Sequence, residues 1–282
     1  MTTRDVRIIT VPFDTGVRDA RMGRGPARLL DAGLVARLQD SGHRAAVVEI
    51  DAPEGPLVPE PQCAATLWRG LAAAVRAARS DGAFPLVLSG VCYSAVGTVA
   101  GLGANDLAVF WFDAHGDVNT PETTTSGFLD GMAITMVTGH CWQGLTAAVP
   151  GFAPVPEDRI ALVGARDLDP PEHTLLAASP IRIVAADQVS TQLDGVIADL
   201  AARSAGTYLH VDLDVLDPRE ARVNHLPAPG GLRIAELRAA CGIIARRLPV
   251  LGMALTAYDP AGDPDGVVCE AAFTVVDAVL GP

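Results

Sequence analysis

The sequence of 282 residues has no uninterrupted apolar run of the roughly 20 residues that a membrane-spanning helix requires, although 49% of it is hydrophobic. The apolar residues are spread along the chain, which excludes a membrane partner and predicts a soluble protein. The opening Met1-Thr2-Thr3-Arg4-Asp5 lacks the charged start, apolar middle and small-residue cleavage site of a signal peptide, so a cytoplasmic location is expected. Cysteine is sparse and unpaired in pattern. Cys63, Cys92, Cys141, Cys241 and Cys269 are odd in number and form no C-x-x-C, so neither a disulfide framework nor a zinc knuckle is indicated. Basic residues are outnumbered, with 21 Lys and Arg against 33 Asp and Glu, and they are scattered. Phosphate-backbone binding needs clustered cations, so nucleic acid is excluded as a partner. There are no repeats, no low-complexity tracts and no linker-like shift in composition, which predicts one domain over residues 1–282.

What is present is an alternation of β-branched runs with longer amphipathic ones, the pattern of βαβ units on a parallel sheet. Strands are predicted at 6–11, 45–50, 85–89, 107–113, 159–165, 181–184, 207–214 and 250–259. Helices are predicted at 26–41, 62–80, 94–101, 130–139, 171–178, 188–204, 233–248 and 266–279. Several strands are apolar throughout, so both sheet faces should be covered by helices. The expected fold class is α/β, a three-layer α/β/α sandwich on a mainly parallel eight-stranded sheet. The stretches 114–129 and 215–231 are long for simple βα connections, and long ordered loops in compact domains are often functional.

Two strand ends carry the chemistry. The run Phe110-Trp111-Phe112 stops at Asp113-Ala114-His115-Gly116-Asp117, and a second apolar strand ends in His210-Val211-Asp212-Leu213-Asp214. Alternate residues of an extended segment point the same way, and ligands of open α/β sheets bind beyond the carboxyl ends of the strands. Four carboxylates and an imidazole gathered there would repel one another unless cations neutralise them. Oxygen-rich sites with imidazole suit divalent ions such as manganese, and bridging carboxylates can hold two of them roughly 3.5–4 Å apart. A lone D-x-D reads equally well as a helix cap or Asx-turn; D-x-H-x-D together with D-x-D is far more specific.

At these motifs the sequence resembles the ureohydrolases, the binuclear manganese enzymes that include arginase and agmatinase and hydrolyse guanidino groups. The resemblance spans nearly the whole chain, through VPFDTG (11–16), LSGVCYSAVGTVAG (88–101), WFDAHGDVNTPETTTSGFLDGM (111–132), GARDLDPPE (164–172) and HVDLDVLDP with PGGL (210–232). It implies that Asp113 and Asp212 bridge, that His115 and Asp214 complete one metal position, and that Asp117 belongs to the other. Where a histidine ligand is expected in that second position, Cys92 stands. A thiolate there favours zinc or iron over manganese, and the bland alternative is that Cys92 is a small buried hydrophobe. Members with Cys at this place, resembling the hydroxyarginine hydrolase of cycloserine biosynthesis, imply that hydrolysis survives the change and make secondary metabolism plausible.

Two further departures bear on catalysis. Asp130 occupies the position of the family's proton-shuttling histidine, with a helix cap near Met132 as its structural alternative. Ala257 stands where the family has a glutamate facing the guanidinium, leaving Asp259 as the nearby substitute. Without a facing carboxylate a guanidinium loses its bidentate partner, so unmodified arginine is disfavoured. Asn119, Ser126 and Asp169 resemble head-group contacts, with Glu172 nearby; Phe128 suits a less polar substrate, and His225 either reaches the site or faces solvent.

The expectation is a metal-dependent amidinohydrolase acting on a small guanidino, hydroxyguanidino or related molecule. Its metal ligands are Asp113, His115, Asp117, Asp212, Asp214 and Cys92, its catalytic candidates Asp130 and Asp117, and its substrate contacts Asn119, Ser126, Asp169, Glu172 and Asp259. The cofactor is one or two manganese ions, or zinc or iron if Cys92 is a ligand. A homo-oligomer, trimer or hexamer, is expected by analogy. Two rivals are a cysteine hydrolase with Cys92 as nucleophile and His115 as its base, and a degenerate, non-catalytic binding subunit.

Overall fold

Each of the eight apolar runs becomes a strand of one sheet. The computed structural model describes residues 3–53, 58–103 and 105–281; Met1 and Thr2 of the N-terminal reading lie outside these. In chain order the elements are β1 (Asp5–Val11), a hairpin of β2 (Phe13–Asp14) and β3 (Val17–Arg18), α1 (Gly25–Asp31), α2 (Leu34–Asp40), β4 (Arg44–Glu49) and α3 (Glu60–Ser80). There follow β5 (Phe84–Ser89), α4 (Ala95–Leu102), β6 (Leu107–Phe112), α5 (Ala133–Val137), α6 (Gln143–Thr146), β7 (Ile160–Val163), α7 (Pro170–Ala178) and β8 (Arg182–Val184). The chain closes with α8 (Val189–Ala201), β9 (Gly206–Asp212), α9 (Ile234–Arg247), β10 (Val250–Thr256) and α10 (Val267–Leu280).

The eight-stranded sheet runs β4-β1-β5-β10-β9-β6-β7-β8, and its strand pairs are parallel. Strand side chains alternate between two separate cores. Ile8, Leu86, Leu88, Phe110 and Phe112 face one that contains residues of α1, α2, α8, α9 and α10. Ile9, Val11, Val87, Val109 and Trp111 face the other, with α3, α4 and α5. The expected three-layer sandwich is therefore the observed one.

Beyond shifts of a few residues at several element ends, three differences from the sequence reading stand out. The helix expected over 26–41 is broken into α1 and α2 by Gly33, whose φ of 101° no right-handed helix accommodates. The strand expected over 250–259 stops at Thr256, because Ala257 is turned into the left-handed region at φ 59°. The stretch 130–139 begins as a 3-10 turn, Asp130–Met132, before α5.

Register places the functional strand ends side by side. Thr256 of β10 pairs with Ser89 of β5 and with Asp212 of β9, while Phe112 of β6 pairs with Val211. The four central strands thus finish at one level, and the residues just beyond them meet.

Candidate metal centre

Asp113 and Asp212 close β6 and β9, and tight local turns hold them there. The Asp113 carboxylate accepts from the backbone N–H of His115 at 2.8 Å, and Asp212 from that of Asp214 at 2.8 Å. Cross-bracing links the two loops, since Ala114 N–H donates to Asp214 Oδ1 at 3.2 Å. The glycine between His115 and Asp117 is required by packing: a Cβ on Gly116 would lie 2.6 Å from Glu172 Oε1. Asp117 itself is held at φ 52°, an uncommon conformation for a residue with a side chain.

Cys92 reaches the same place from β5. The turn beyond β5 passes so close to the β2 region that a Cβ on Gly90 would meet Phe13 O at 2.3 Å, which only glycine permits. Cys92 Sγ then donates to Asp212 Oδ2 at 3.0 Å. On the other side, His115 Nδ1 lies 3.4 Å from both Asp113 Oδ1 and Asp214 Oδ2.

Two ligand clusters result. Cys92, Asp113 and Asp212 offer donor atoms all within 4.8 Å of one another, and so do Asp113, His115 and Asp214, with Asp113 common to both. Burial of these acids pushes Asp113, Asp117 and Asp212 above the usual carboxylate range, and mutual repulsion adds to it. Burial and the surrounding carboxylates likewise raise the Cys92 thiol. For His115 burial alone would lower the imidazole, but Asp113 and Asp214 outweigh it and push it up to about 12. Asp214 is the exception among the acids: burial is overcome by His115, by Asn224 and by the Ala114 N–H, and its pKa is lowered. Asp117 Oδ2 is buried with no hydrogen-bond partner among the described residues. A buried carboxylate oxygen without a donor, beside two compact N/O/S donor sets, fits a divalent cation.

A cleft of about 260 Å³ opens over these clusters. Eight carboxylates line it, from Asp113, Asp117, Asp130, Asp167, Asp169, Glu172, Asp212 and Asp214, and His115 is the one basic side chain among the described lining residues. Asn119, Ser126, Phe128 and Ala257 complete much of the wall.

The expected substrate contacts separate on closer view. Asn119 Nδ2 donates to Asp169 Oδ2 at 3.0 Å, forming a polar pair at the rim. Ser126 lines the cleft but its hydroxyl already accepts from Phe128 N–H at 3.1 Å. Glu172 is engaged by backbone, accepting from Val118 N–H at 3.2 Å and Asp169 N–H at 2.9 Å, the second as part of the capping box of α7. Asp259 is a correction. It is not among the cleft-lining residues, and its carboxylate caps the following turn by accepting from Ala261 N–H at 3.0 Å. The left-handed Ala257 is what turns the chain before Asp259. Asp130 does not cap its own helix; it accepts from Tyr93 N–H at 3.2 Å, and burial holds its carboxyl well above the usual range. His225 is exposed and absent from the cleft wall. The thiol-nucleophile reading loses its base, because His115 is committed to Asp113 and Asp214.

Residues 4–281 match the family described as the Arginase family. The chain belongs to the arginase family. The arginase of Bacillus caldovelox is 30% identical over 99% of this chain and 98% of its own. Its native structure covers 99% of both chains with a TM-score of 0.91 at 28% identity. Arginase-1 of Oryctolagus cuniculus is 31% identical over 83% of this chain and 78% of its own. The crystal structure of arginase from Bacillus cereus matches over 99% of both chains, with a TM-score of 0.89 and 27% identity. As a member of the arginase family the protein is a hydrolase of carbon–nitrogen bonds in linear amidines, and its metal dependence accords with the two donor clusters. No described helix is long and apolar enough to cross a membrane.

Three functional residues escaped the sequence reading. Asn224 Nδ2 donates to Asp214 Oδ2 at 3.0 Å and to Ala257 O at 3.1 Å, tying loop 215–231 to the centre. Arg166 anchors that loop from below, its guanidinium donating to the carbonyls of Gly164, Asp214, Val215, Leu216, Ala228 and Pro229. His210 is fully buried in β9, stacked on Trp111, and burial lowers it to about 3, so its ring is neutral. The signal for His210 was present: it shares the Tyr208–Asp212 face of β9 by parity. Asn224 and Arg166 gave none, since their partners come from loops whose course no local pattern specifies.

Proposed function

We propose that this arginase-family chain, acting as one domain over residues 1–282, hydrolyses a guanidino, hydroxyguanidino or related amidine-type group on a small amino-acid-like substrate other than unmodified arginine. The observation that carries this reading is the pair of donor clusters sharing Asp113 beneath a cleft of eight carboxylates, with Ala257 rather than an acid in its wall. Asp113, His115 and Asp214 would hold one cation; Asp113, Asp212, Asp117 and Cys92 would hold another. Manganese suits the oxygen-rich half, and zinc or iron becomes favourable where the Cys92 thiolate contributes. A divalent cation held there supplies a nucleophilic water near neutral pH and polarises the scissile carbon.

The chain's own residues do the rest. The acidic cleft draws in a cationic molecule, and its small volume suits an amino-acid-sized one. Asn119 and Asp169 hold the amino-acid end at the rim, with Ser126 beside them. Phe128 excludes water along one wall. Asp130, whose carboxyl burial holds well above the usual range, carries the proton that the departing amine needs. The absence of a carboxylate at Ala257 removes the bidentate partner of a guanidinium on that side, which disfavours unmodified arginine. We place the protein in the cytoplasm as a homo-oligomer, trimer or hexamer, within secondary metabolism.

The test is a panel of guanidines and hydroxyguanidines presented to manganese-, iron- and zinc-loaded protein, with release of urea or hydroxyurea as the readout. Turnover of a hydroxyguanidine above arginine is expected. No turnover of any member by a metal-loaded protein would contradict the reading and favour a binding subunit.

A further inference from the structure

We propose that Thr256 and His210, braced by Trp111, form a positioning layer beneath the ligand clusters that sets the orientation of Cys92 Sγ and Asp113 toward a bound divalent cation. The inference rests on the reading of Cys92 and Asp113 as ligands. Three neighbouring strands build the layer: in register, Trp111 of β6 lies opposite His210 of β9, which lies opposite Ala254 of β10, and Thr256 lies two residues further along β10.

A chain of polar contacts runs through it. The Tyr208 hydroxyl is 2.9 Å from His210 Nδ1, His210 Nε2 is 3.3 Å from Thr256 Oγ1, and Thr256 Oγ1 is 3.2 Å from Cys92 Sγ. From the same imidazole a second branch leads to Asp113. The His210 ring stacks on Trp111 with centroids 3.6 Å apart and planes 13° from parallel, and Trp111 Nε1 donates to Asp113 Oδ2 at 3.0 Å. Tyr208, His210, Thr256, Trp111 and Cys92 are all 2% exposed or less, so their polar groups depend on one another for hydrogen bonds.

The direction of the chain follows from the donor inventory. A neutral imidazole has one donor and one acceptor, and a metal-bound thiolate can only accept. With Cys92 in that state, the Thr256 hydroxyl donates to sulfur and accepts from His210 Nε2–H, while His210 Nδ1 accepts from the Tyr208 hydroxyl. This polarity satisfies every group in the chain, and the Val211 carbonyl, 3.5 Å from Thr256 Oγ1, is the more distant alternative acceptor for that hydroxyl. It directs a lone hydrogen bond at the sulfur from the side opposite the cleft and fixes the Cys92 rotamer, the part that carboxylates and carbonyls play behind metal-bound histidines. No other described side chain offers a hydroxyl to Cys92.

Cobalt(II)-loaded protein tests this without reference to turnover, because a cobalt–thiolate bond has a charge-transfer absorption that histidine and carboxylate ligands lack. Thr256→Val preserves shape and removes the hydroxyl; Thr256→Ser restores it. The valine variant is expected to shift the charge-transfer band and weaken cobalt binding by roughly 10–100-fold, the usual cost of losing a partner behind a ligand, while the serine variant stays near wild type. In a Cys92→Ala background the same valine substitution should change cobalt affinity little. A valine variant matching wild type in band and affinity would overturn the inference, as would equal weakening with and without Cys92. A wild-type protein lacking the band altogether would instead overturn the reading of Cys92 as a ligand, and the layer's role toward it would fall with that. Should the valine variant not fold, Thr256→Ala carries the same readings.

Discussion

The two halves of the centre are not equivalent. Around His115 the charges are already balanced: the imidazole lies between Asp113 and Asp214, and Asp214 accepts further from Asn224 and the Ala114 N–H. Around Cys92 they are not. There a thiol rests against Asp212, the Asp117 Oδ2 atom has no donor, and burial pushes every neighbouring carboxyl upward. The contrast teaches which half the protein organises by itself and which half waits for a cation. His115 and its acids are a folded ion-pair network that a metal must enter by displacing the imidazole proton, whereas on the Cys92 side it displaces the thiol proton and meets a carboxylate oxygen, Asp117 Oδ2, that has no donor among the described residues.

The largest expected effect comes from the residue that the halves share. Asp113→Asn should remove bound metal from both clusters and cost about 4 kcal/mol or more of barrier lowering, on the order of 10³-fold in kcat, read by steady-state kinetics with metal analysis alongside. Retention of one ion by this variant would break the comparison, because the halves would then not depend on a common ligand.

A smaller effect should follow from loosening the His115 half at its base. Arg166 binds the backbone of Asp214 and Val215 and of the loop that carries Asn224 through its planar fork of donors. Arg166→Ala is expected to lower unfolding stability by about 3 kcal/mol, since several buried carbonyls lose a charged donor at once. Arg166→Lys should recover only part of that. Urea unfolding of the two variants would check it, and an alanine variant as stable as wild type would contradict the anchoring role.

The smallest effect sharpens the view of the Cys92 side. Glu60 begins α3 and faces Asp14, Arg21 and Tyr93, the residue after Cys92. Burial and the Asp14 carboxylate raise it from 4.5 to about 7. A carboxyl raised in the folded state favours folding when protonated, so its contribution is fully present below about 4.5 and is lost as pH rises through about 7. Glu60→Gln should flatten the dependence of the urea midpoint on pH across that window. An unchanged slope would mean that this acid is not held neutral.

Much of this architecture was legible before the structure. The strand runs from VRIITV onward predicted eight strands, most plainly at the centre of the sheet, where Phe84–Ser89 and Leu107–Phe112 are buried on both faces, while the edge strands Arg44–Glu49 and Arg182–Val184 are partly exposed. The DAHGD and HVDLD strand ends were legible because ligand-type residues interrupt apolar runs at alternating spacing. The helix over 26–41 was not, since Gly33 breaks a periodicity that continues on both sides of it. Asp259 misled for a related reason: a single left-handed residue, Ala257, redirects the chain between strand and cap, and sequence does not announce a positive φ at alanine. Glu172, expected near the substrate contacts, lies in the cleft wall with its oxygens serving backbone donors from Val118 and Asp169. His210 shares the parity of Tyr208 and Asp212 along β9, but a histidine inside an apolar strand reads as core until its neighbours on β6 and β10 are known.

The most direct test of the centre is the metal content of the protein purified without added metal or chelator, by plasma mass spectrometry, for wild type, Cys92→Ala and Asp214→Ala. Two ions per chain in the wild type are predicted, with each variant losing one. The ion kept by Cys92→Ala should be the one at His115, and the ion kept by Asp214→Ala the one at Cys92. A wild-type protein that binds no metal, even after manganese, iron or zinc is supplied, would contradict the account.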